Sequence, residues 1–285
     1  KHSFRLHGNN CFVPSKNLLE IHTVHSQLAN ISALSHVWVL VVMEGSYPSR
    51  SSLKAPLLCL ARASSFVVAT LVISWPLLSN SSLTAHLSTS SSLGDFVFAV
   101  LHPLFMVIGF ILVTGEAILV HTWWPGTRRW RKSVHLWLQG VALAAGVIGI
   151  WIKFQSKDGI VANFFSLHSW MGIICIGLFG AQWLIGIMSF WHRGETRSVR
   201  ARVLPWHIFL GLYTYGLAVA TAETGLLEKL TFFQTNGNIH STESLIVNCL
   251  GLWLAILCGA IVLVVVAPKN QAAATSHILK TVEFE

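Results

Sequence analysis

The chain has 285 residues, of which 53% are hydrophobic and 11% are charged, and its mean hydropathy is +0.63. This composition excludes an ordinary water-soluble domain and predicts a protein that crosses a membrane several times. The formal charge of +8 does not indicate nucleic-acid binding, because the basic residues lie in short loops between apolar stretches, where they act as orientation signals.

Residues 1–55 mix histidine, serine and apolar pieces that are too short to span a bilayer, and we interpret them as a peripheral N-terminal arm. The membrane domain is predicted at 56–268 and a cytosolic tail at 269–285. The predicted spans are about 57–78, 95–120, 133–153, 163–190, 205–226 and 246–267, with Pro205 at the start of the fifth. The fold class is therefore an all-α integral membrane protein with six transmembrane helices.

The distribution of basic residues predicts how these spans are oriented. Four Lys or Arg residues lie in each of the loops 121–134 and 191–204, whereas the loops 79–94, 154–162 and 227–245 hold none, one and one. By the positive-inside rule the two basic loops are cytosolic, and six spans then place both termini in the cytosol. The sequence leaves open whether the membrane is the vacuolar membrane, another endomembrane or the plasma membrane.

Four histidines carry the main functional signal. His102, His135, His168 and His207 each stand near the start of a separate span, and each interval between them is about one membrane crossing plus a loop. Because successive spans run in opposite directions, His102 and His168 share one depth and His135 and His207 share the other. Two histidines that face each other at one depth can ligate a haem iron from both sides, which predicts two haem sites.

The remaining polar groups do not suggest a second metal chemistry. The five cysteines have no C-x-x-C spacing, so we predict neither a disulfide framework nor a zinc site. The other ten histidines lie at interfaces or in polar segments, and we interpret each as solvated rather than as a ligand, with His121 and His240 the least clear cases. Glu223 and Glu228 are interpreted as structural or solvated carboxylates near the end of the fifth helix.

Several local sequences resemble the cytochrome b561 family, and within it the plant transmembrane ascorbate ferrireductases. They are HPLFMVIGF from His102, KSVHLWLQG around His135, SLHSWMG around His168, LPWHIFLGL around His207 and ATAETGLLEKLTF from Ala220. The resemblance covers about 57–267. It implies a homodimer whose central four-helix bundle holds two haem b groups, with His102 and His168 on the non-cytosolic iron and His135 and His207 on the cytosolic iron.

The resemblance also implies substrate residues on both faces. Basic residues before the third-helix and fifth-helix histidines point to Lys132 and Arg200, with Arg131 beside them, as ligands of the ascorbate monoanion. On the other face many members carry a histidine and a tyrosine, where this chain has Gln155 and Phe165. This departure leaves the acceptor, a ferric chelate or monodehydroascorbate, undecided. Six glycines are candidates for close packing against a helix or macrocycle: Gly109, Gly140, Gly146, Gly172, Gly177 and Gly211.

The leading function is thus transfer of electrons from cytosolic ascorbate through two haems to a non-cytosolic acceptor, an oxidoreductase activity. A haem-free transporter or scaffold that uses its histidines as a proton relay is the alternative. Electron supply from NADPH is less consistent with the sequence, because no G-x-G-x-x-G motif with a soluble domain is present.

Overall fold

The computed structural model describes residues 53–78, 100–155, 164–191, 196–235 and 242–267. Nearly all of the predicted N-terminal arm 1–55, the loop 79–94 and the tail 269–285 lie outside these residues. The described residues contain six helices that are long and apolar enough to cross a membrane, which confirms the predicted all-α membrane protein. In chain order they are α1 (Lys54–Leu78), α2 (Val100–Trp123), α3 (Arg128–Phe154), α4 (Leu167–Trp191), α5 (Arg197–Thr235) and α6 (Thr242–Val266).

Side-chain caps determine where three of these helices begin. The hydroxyl of Thr127 accepts a hydrogen bond from the Trp130 N–H, and that of Ser166 accepts one from the Ser169 N–H. Thr196 does the same for the Val199 N–H at 3.4 Å. Each hydroxyl satisfies an N–H that has no partner within its own helix, so α3, α4 and α5 start directly after a cap.

The start of α5 differs from the sequence prediction. Pro205 was expected to open this helix, but α5 begins eight residues earlier, after Thr196, and Pro205 lies in its interior. The basic residues 197–202, predicted as loop, form its first turns, as Arg128 to Lys132 do for α3. At about 1.5 Å per residue the 39-residue α5 is about 58 Å long, so it extends well beyond a hydrocarbon core of about 30 Å.

The helices form a central ring of four with a peripheral pair. Neighbours around the ring are α2, α3, α4 and α5, and α1 and α6 pack along each other and against α2 and α5. Small or branched side chains fill the contact between α1 and α6, among them Ala61, Val68, Leu254 and Leu257, all with 0% exposure. Lipid tails are as apolar as these side chains, so the hydrophobic effect does not draw membrane helices together. Close packing of this kind is therefore the main attraction between them.

One ionic contact fastens α1 to α2. The Arg62 guanidinium donates to Glu116 Oε2 at 3.1 Å and lies over the ring of Trp123, 3.8 Å from its centre. A guanidinium can bind a carboxylate and stack on an aromatic face at the same time, so one side chain fixes the rotation of α1 against α2.

The contact between α2 and α3 depends on the absence of a side chain at Gly109. A Cβ at Gly109 would lie 2.5 Å from Cβ of Ala145, whereas a Cβ at Gly259 on α6 would meet nothing within 4 Å. We expect Gly109→Ala to destabilise the protein by about 1–3 kcal/mol through overpacking. Gly259→Ala is the matched control, because it gains only the better helix propensity of alanine, about 1 kcal/mol. The check is the melting temperature of both variants in detergent; equal melting temperatures would contradict the expectation.

Candidate functional site

The ring of four helices brings the four predicted histidines together in two pairs. The ring centres of His102 on α2 and His168 on α4 are 6.3 Å apart, with 85° between the ring planes. His135 on α3 and His207 on α5 repeat the same separation of 6.3 Å, at 72°. Each pair therefore joins two helices that run in the same direction and face each other across the ring.

The two pairs lie at opposite ends of the ring. Ala117, four turns after His102 on α2, is beside His135; likewise Gly149, four turns after His135 on α3, is beside His102. At about 1.5 Å of rise per residue these intervals place the pairs about 21 Å apart along the bundle. This separation fits within a hydrocarbon core of about 30 Å.

Three of the four imidazoles are held by a backbone carbonyl of a neighbouring helix. The acceptors for Nδ1 of His102, His135 and His168 are the carbonyl oxygens of Gly149, Ala117 and Thr221, each at 2.8 Å. A carbonyl only accepts, so Nδ1 carries the proton in each ring. The lone pair of Nε2 is left for a metal, which is how ligating histidines are usually oriented.

The pairs have the spacing that an iron between two imidazoles requires. Metal–nitrogen bonds of about 2.0–2.1 Å from opposite sides place the two ring centres about 6 Å apart. The observed 6.3 Å of both pairs agrees with this value. The donor set and the ring separation fit an iron that the two histidines of each pair would hold.

A small, largely apolar cavity lies next to His168. A cavity between α2, α4 and α5 is lined by His168, Met106, Phe110, Ile111, Gly172, Cys175, Ala218, Thr221 and Ala222. Its walls are almost entirely apolar. A flat hydrophobic group bound through His168 would be shielded from water here.

His207 differs from the other three histidines. Its buried Nδ1 has no hydrogen-bond partner among the described residues. Gln182 of α4 instead donates to the His207 backbone carbonyl at 2.6 Å, and Gly186 lets the ring approach, since a Cβ there would be 3.3 Å from Cε1. The fourth ring is thus positioned by packing and not by a bond to its own nitrogen.

Three residues that the sequence analysis did not assign to the site lie near the histidine rings. Gly225, four residues after Thr221, lies against His168, where a Cβ would be 2.8 Å from Cε1. His121, four residues after Ala117, is exposed and has its ring centre 5.0 Å from that of His135. Lys153, four residues after Gly149, is an exposed cation within electrostatic range of His102. Residues four apart share a helix face. All three residues therefore follow from the carbonyl positions, which are known from the structure and not from the sequence.

The predicted glycines differ in how closely they are packed. A Cβ at Gly146 would lie 2.5 Å from Ile176, and one at Gly140 would lie 3.3 Å from Trp183. Gly172 and Gly211 would make only ordinary contacts, and Gly177 has nothing within 4 Å. Of the six glycines, Gly109, Gly140 and Gly146 are therefore the ones where the helix packing requires glycine.

The basic residues collect at the end of the bundle that holds His135 and His207. Lys132 lies three residues before His135 on α3, and Arg200 lies seven before His207 on α5, spacings that keep each on the face of its histidine. Arg131 donates to the carbonyl of His121 at 3.3 Å, and its buried Nε has no partner among the described residues. The N-termini of α3 and α5 add their positive dipole ends to these cations.

The opposite end has a different character. Gln155 is the exposed C-terminal cap of α3, and Phe165 is 83% exposed just before α4. Between them Phe164 stacks on Phe154 with ring centres 5.8 Å apart and meets Trp170 edge-on at 6.2 Å. Gln155 and Phe165 thus border an aromatic surface, and the cation near His102 is Lys153.

Comparisons with known proteins show which proteins this chain is similar to. The sequence model of a family described as eukaryotic cytochrome b561 matches residues 101–233. Probable transmembrane ascorbate ferrireductase 4 of Arabidopsis thaliana is 55% identical over 228 residues, which cover 79% of this chain and 89% of that protein. Transmembrane ascorbate ferrireductase 2 of the same plant is 43% identical over 75% of this chain and 93% of its own length. A transmembrane ascorbate-dependent reductase of Bos taurus is 39% identical over 54% of this chain and 62% of its own length.

Gly225→Ala is expected to displace the His168 ring, because the added Cβ would overlap it. The bond from Nδ1 to the Thr221 carbonyl should break, and the His102/His168 pair should lose the ability to retain haem. Gly216→Ala on the same helix is the matched control, since a Cβ at Gly216 meets nothing within 4 Å. The measurement is haem per chain after purification, and full haem content in Gly225→Ala would contradict the expectation.

Proposed function

Because this chain belongs to the cytochrome b561 family, we propose that it transfers electrons across a membrane from ascorbate to an acceptor on the opposite side. Proteins of this family bind haem. The observation that carries the proposal is the pair of histidine sites, one at each end of the four-helix ring, both with a ring separation at which two histidines could hold one iron. Two haem b groups bound there would supply reversible one-electron chemistry.

The histidine geometry supports this function over a proton relay. A relay requires each ring to take a proton on one nitrogen and release it from the other. In three of the rings Nδ1–H is held by a carbonyl that cannot return a proton. These imidazoles are oriented as metal ligands usually are, and they are poorly arranged to carry protons.

The space between the two histidine levels is filled by the chain itself. Phe110 of α2 and Phe179 of α4, both nearly buried, have ring centres 4.9 Å apart. Gly146 of α3 allows the Phe110 ring to approach, since a Cβ there would be 3.1 Å from it. These side chains exclude water from the middle of the bundle, so that electrons and not ions cross there.

We place ascorbate at the end that carries His135 and His207. Lys132, Arg131 and Arg200 provide cations near that pair, and the starts of α3 and α5 provide the positive ends of two helix dipoles. Ascorbate is a monoanion at neutral pH, so both features favour it. By the positive-inside rule this end faces the cytosol, which is where the family resemblance puts the donor.

The acceptor end supports an anionic acceptor such as a ferric chelate, with monodehydroascorbate as the other candidate. Lys153 supplies a cation near His102, and Phe164 and Trp170 supply an aromatic surface. By the family resemblance, Gln155 and Phe165 replace a histidine and a tyrosine, so this site is expected to be weaker in hydrogen bonding. Binding of a bulky acceptor would then depend more on charge and on contact with this surface than on a tight pocket.

The arrangement in the membrane completes the proposal. We propose that both termini lie in the cytosol, because an even number of spans has its basic ends at the starts of α3 and α5; residues 1–55 would then be a peripheral arm and 269–285 a tail. We also propose a homodimer, because exposed apolar residues line the outer faces of α4 and α5, among them Ile174, Leu184 and Phe209. Lipid covers whatever part of these faces a second copy does not.

Vesicles with ascorbate trapped on the His135/His207 side and an impermeant ferric chelate outside test the function. We expect ferric reduction that depends on the protein. His168→Ala should abolish it while ascorbate still reduces the remaining haem, whereas His207→Ala should abolish both. Haem stoichiometry and absorbance changes check each variant. Simultaneous loss of both haems in each folded variant, or ferric reduction by His168→Ala, would contradict the assignment.

The donor site is tested with Lys132→Gln and Arg200→Gln. A hydrogen bond to a charged group is worth about 1.5–3 kcal/mol, so the half-saturating ascorbate concentration should rise about ten- to hundredfold. Reduction by dithionite, which needs no docking site, should stay normal. Arg129→Gln is the matched control, since it removes the same charge from an exposed position in the first turn of α3. If all three variants titrate alike, the cations serve only to orient the protein in the membrane.

A further inference from the structure

Glu223 is a carboxyl group inside the membrane domain that the electron-transfer mechanism does not use. The sequence analysis placed it near a helix end, but α5 continues for twelve residues beyond it, and its side chain faces α6. Oε1 is buried and has no hydrogen-bond partner among the described residues. Oε2 lies against the α6 backbone, 2.8 Å from where a Cβ of Gly251 would stand.

Within the described part of the chain, no cation pairs with this carboxyl group. Its titratable neighbours there are Cys258 on α6, within electrostatic range, and His168 of α4 on the far side of α5. Farther toward the membrane surface, Cys249 and Glu243 lie on α6, and Lys229 of α5 is paired with Glu243 at 3.5 Å. An ionised carboxylate at this depth is costly unless a positive charge lies nearby, so its charge depends on the local field.

The field at Glu223 depends on the centre that we assign to His102 and His168. Thr221, two residues before Glu223, accepts the His168 Nδ1–H at 2.8 Å. Two residues rotate a helix by about 200°, so Glu223 lies on the opposite side of α5, about one helix diameter (about 10 Å) from His168. At this distance inside a membrane a unit charge is still felt strongly. The oxidised centre carries one positive charge more than the reduced one.

We propose that Glu223 is a redox-linked proton site. Its carboxylate is ionised while the His102/His168 centre is oxidised, and it binds one proton from the nearby aqueous phase when one electron from ascorbate arrives. When the acceptor takes the electron, the O–H bond breaks and the proton returns to water. This inference rests on the proposed haem site, and it adds proton coupling at the acceptor end of the bundle.

The first test is the reduction potential of the His102/His168 haem as a function of pH. Reduction then includes proton uptake, so the wild-type potential should become more negative as pH rises. Glu223→Gln mimics the protonated acid. We expect it to match the wild type at the acidic end, to be more positive at the alkaline end and to show a flatter dependence. Glu228→Gln, an exposed carboxylate on the same helix, is the matched control and should retain the wild-type slope.

A second variant displaces the carboxylate without removing it. The Cβ of Gly251→Ala would push against Oε2, whereas Gly259→Ala on the same helix meets nothing within 4 Å. Gly251→Ala should change the pH dependence, and Gly259→Ala should leave it unchanged. In redox infrared difference spectra, a carboxylic-acid carbonyl band should appear on reduction in the wild type and be absent in Glu223→Gln.

The outcomes separate this inference from the proposed function. The proton site is overturned if Glu223→Gln binds haem and its reduction potential has the wild-type dependence on pH. It is also overturned if the wild type shows no redox-linked carboxyl band. Either result leaves the proposed electron transfer intact. Loss of haem in both Glu223→Gln and Gly251→Ala, with both controls normal, shows a structural carboxyl group and also overturns it. A wild-type protein that binds no haem overturns the proposed function itself.

Discussion

The structure depends on hydrogen bonds that run from imidazole nitrogens to backbone carbonyls of neighbouring helices. His102 of α2 donates to Gly149 of α3, and His135 of α3 donates back to Ala117 of α2, so one hairpin is joined at both ends. Each bond contributes only about 0.6–1.5 kcal/mol to stability. The larger effect of each bond is on the orientation of the imidazole. It fixes the tautomer and directs Nε2 toward the centre of the four-helix bundle.

The second hairpin repeats this arrangement only in part. His168 of α4 donates to Thr221 of α5, but among the described residues the expected return bond from His207 is missing. A buried polar nitrogen without a partner costs about 1–3 kcal/mol. The His135/His207 pair near the basic end therefore has one such bond fewer than the His102/His168 pair near Gln155. The same end must admit a soluble anion, so some local freedom there is compatible with its proposed task.

The sequence predicts the histidine pairs because their positions follow from a simple rule, the alternating direction of successive spans. It does not predict the carbonyls that hold them, since a backbone acceptor leaves no mark on residue type; for the same reason Gly225 and Gly186 were missed. The start of α5 was misplaced because Pro205 is typical of a first turn, while the true cap is Thr196. Glu223 was placed near a helix end because the predicted span stops at 226, whereas α5 continues to Thr235.

One irregularity of α2 has a consequence for comparing sequences. The interval from His102 to the carbonyl of Ala117 is longer by a single residue than the corresponding intervals on α3, from His135 to Gly149, and on α5, from His207 to Thr221. Residues Phe105–Leu112 form π-helical turns, which hold more residues per turn and so absorb the additional one. An alignment that forbids gaps within spans would shift every later α2 position by one place. Such a shift is a rotation of about 100°, enough to exchange bundle-facing for lipid-facing positions.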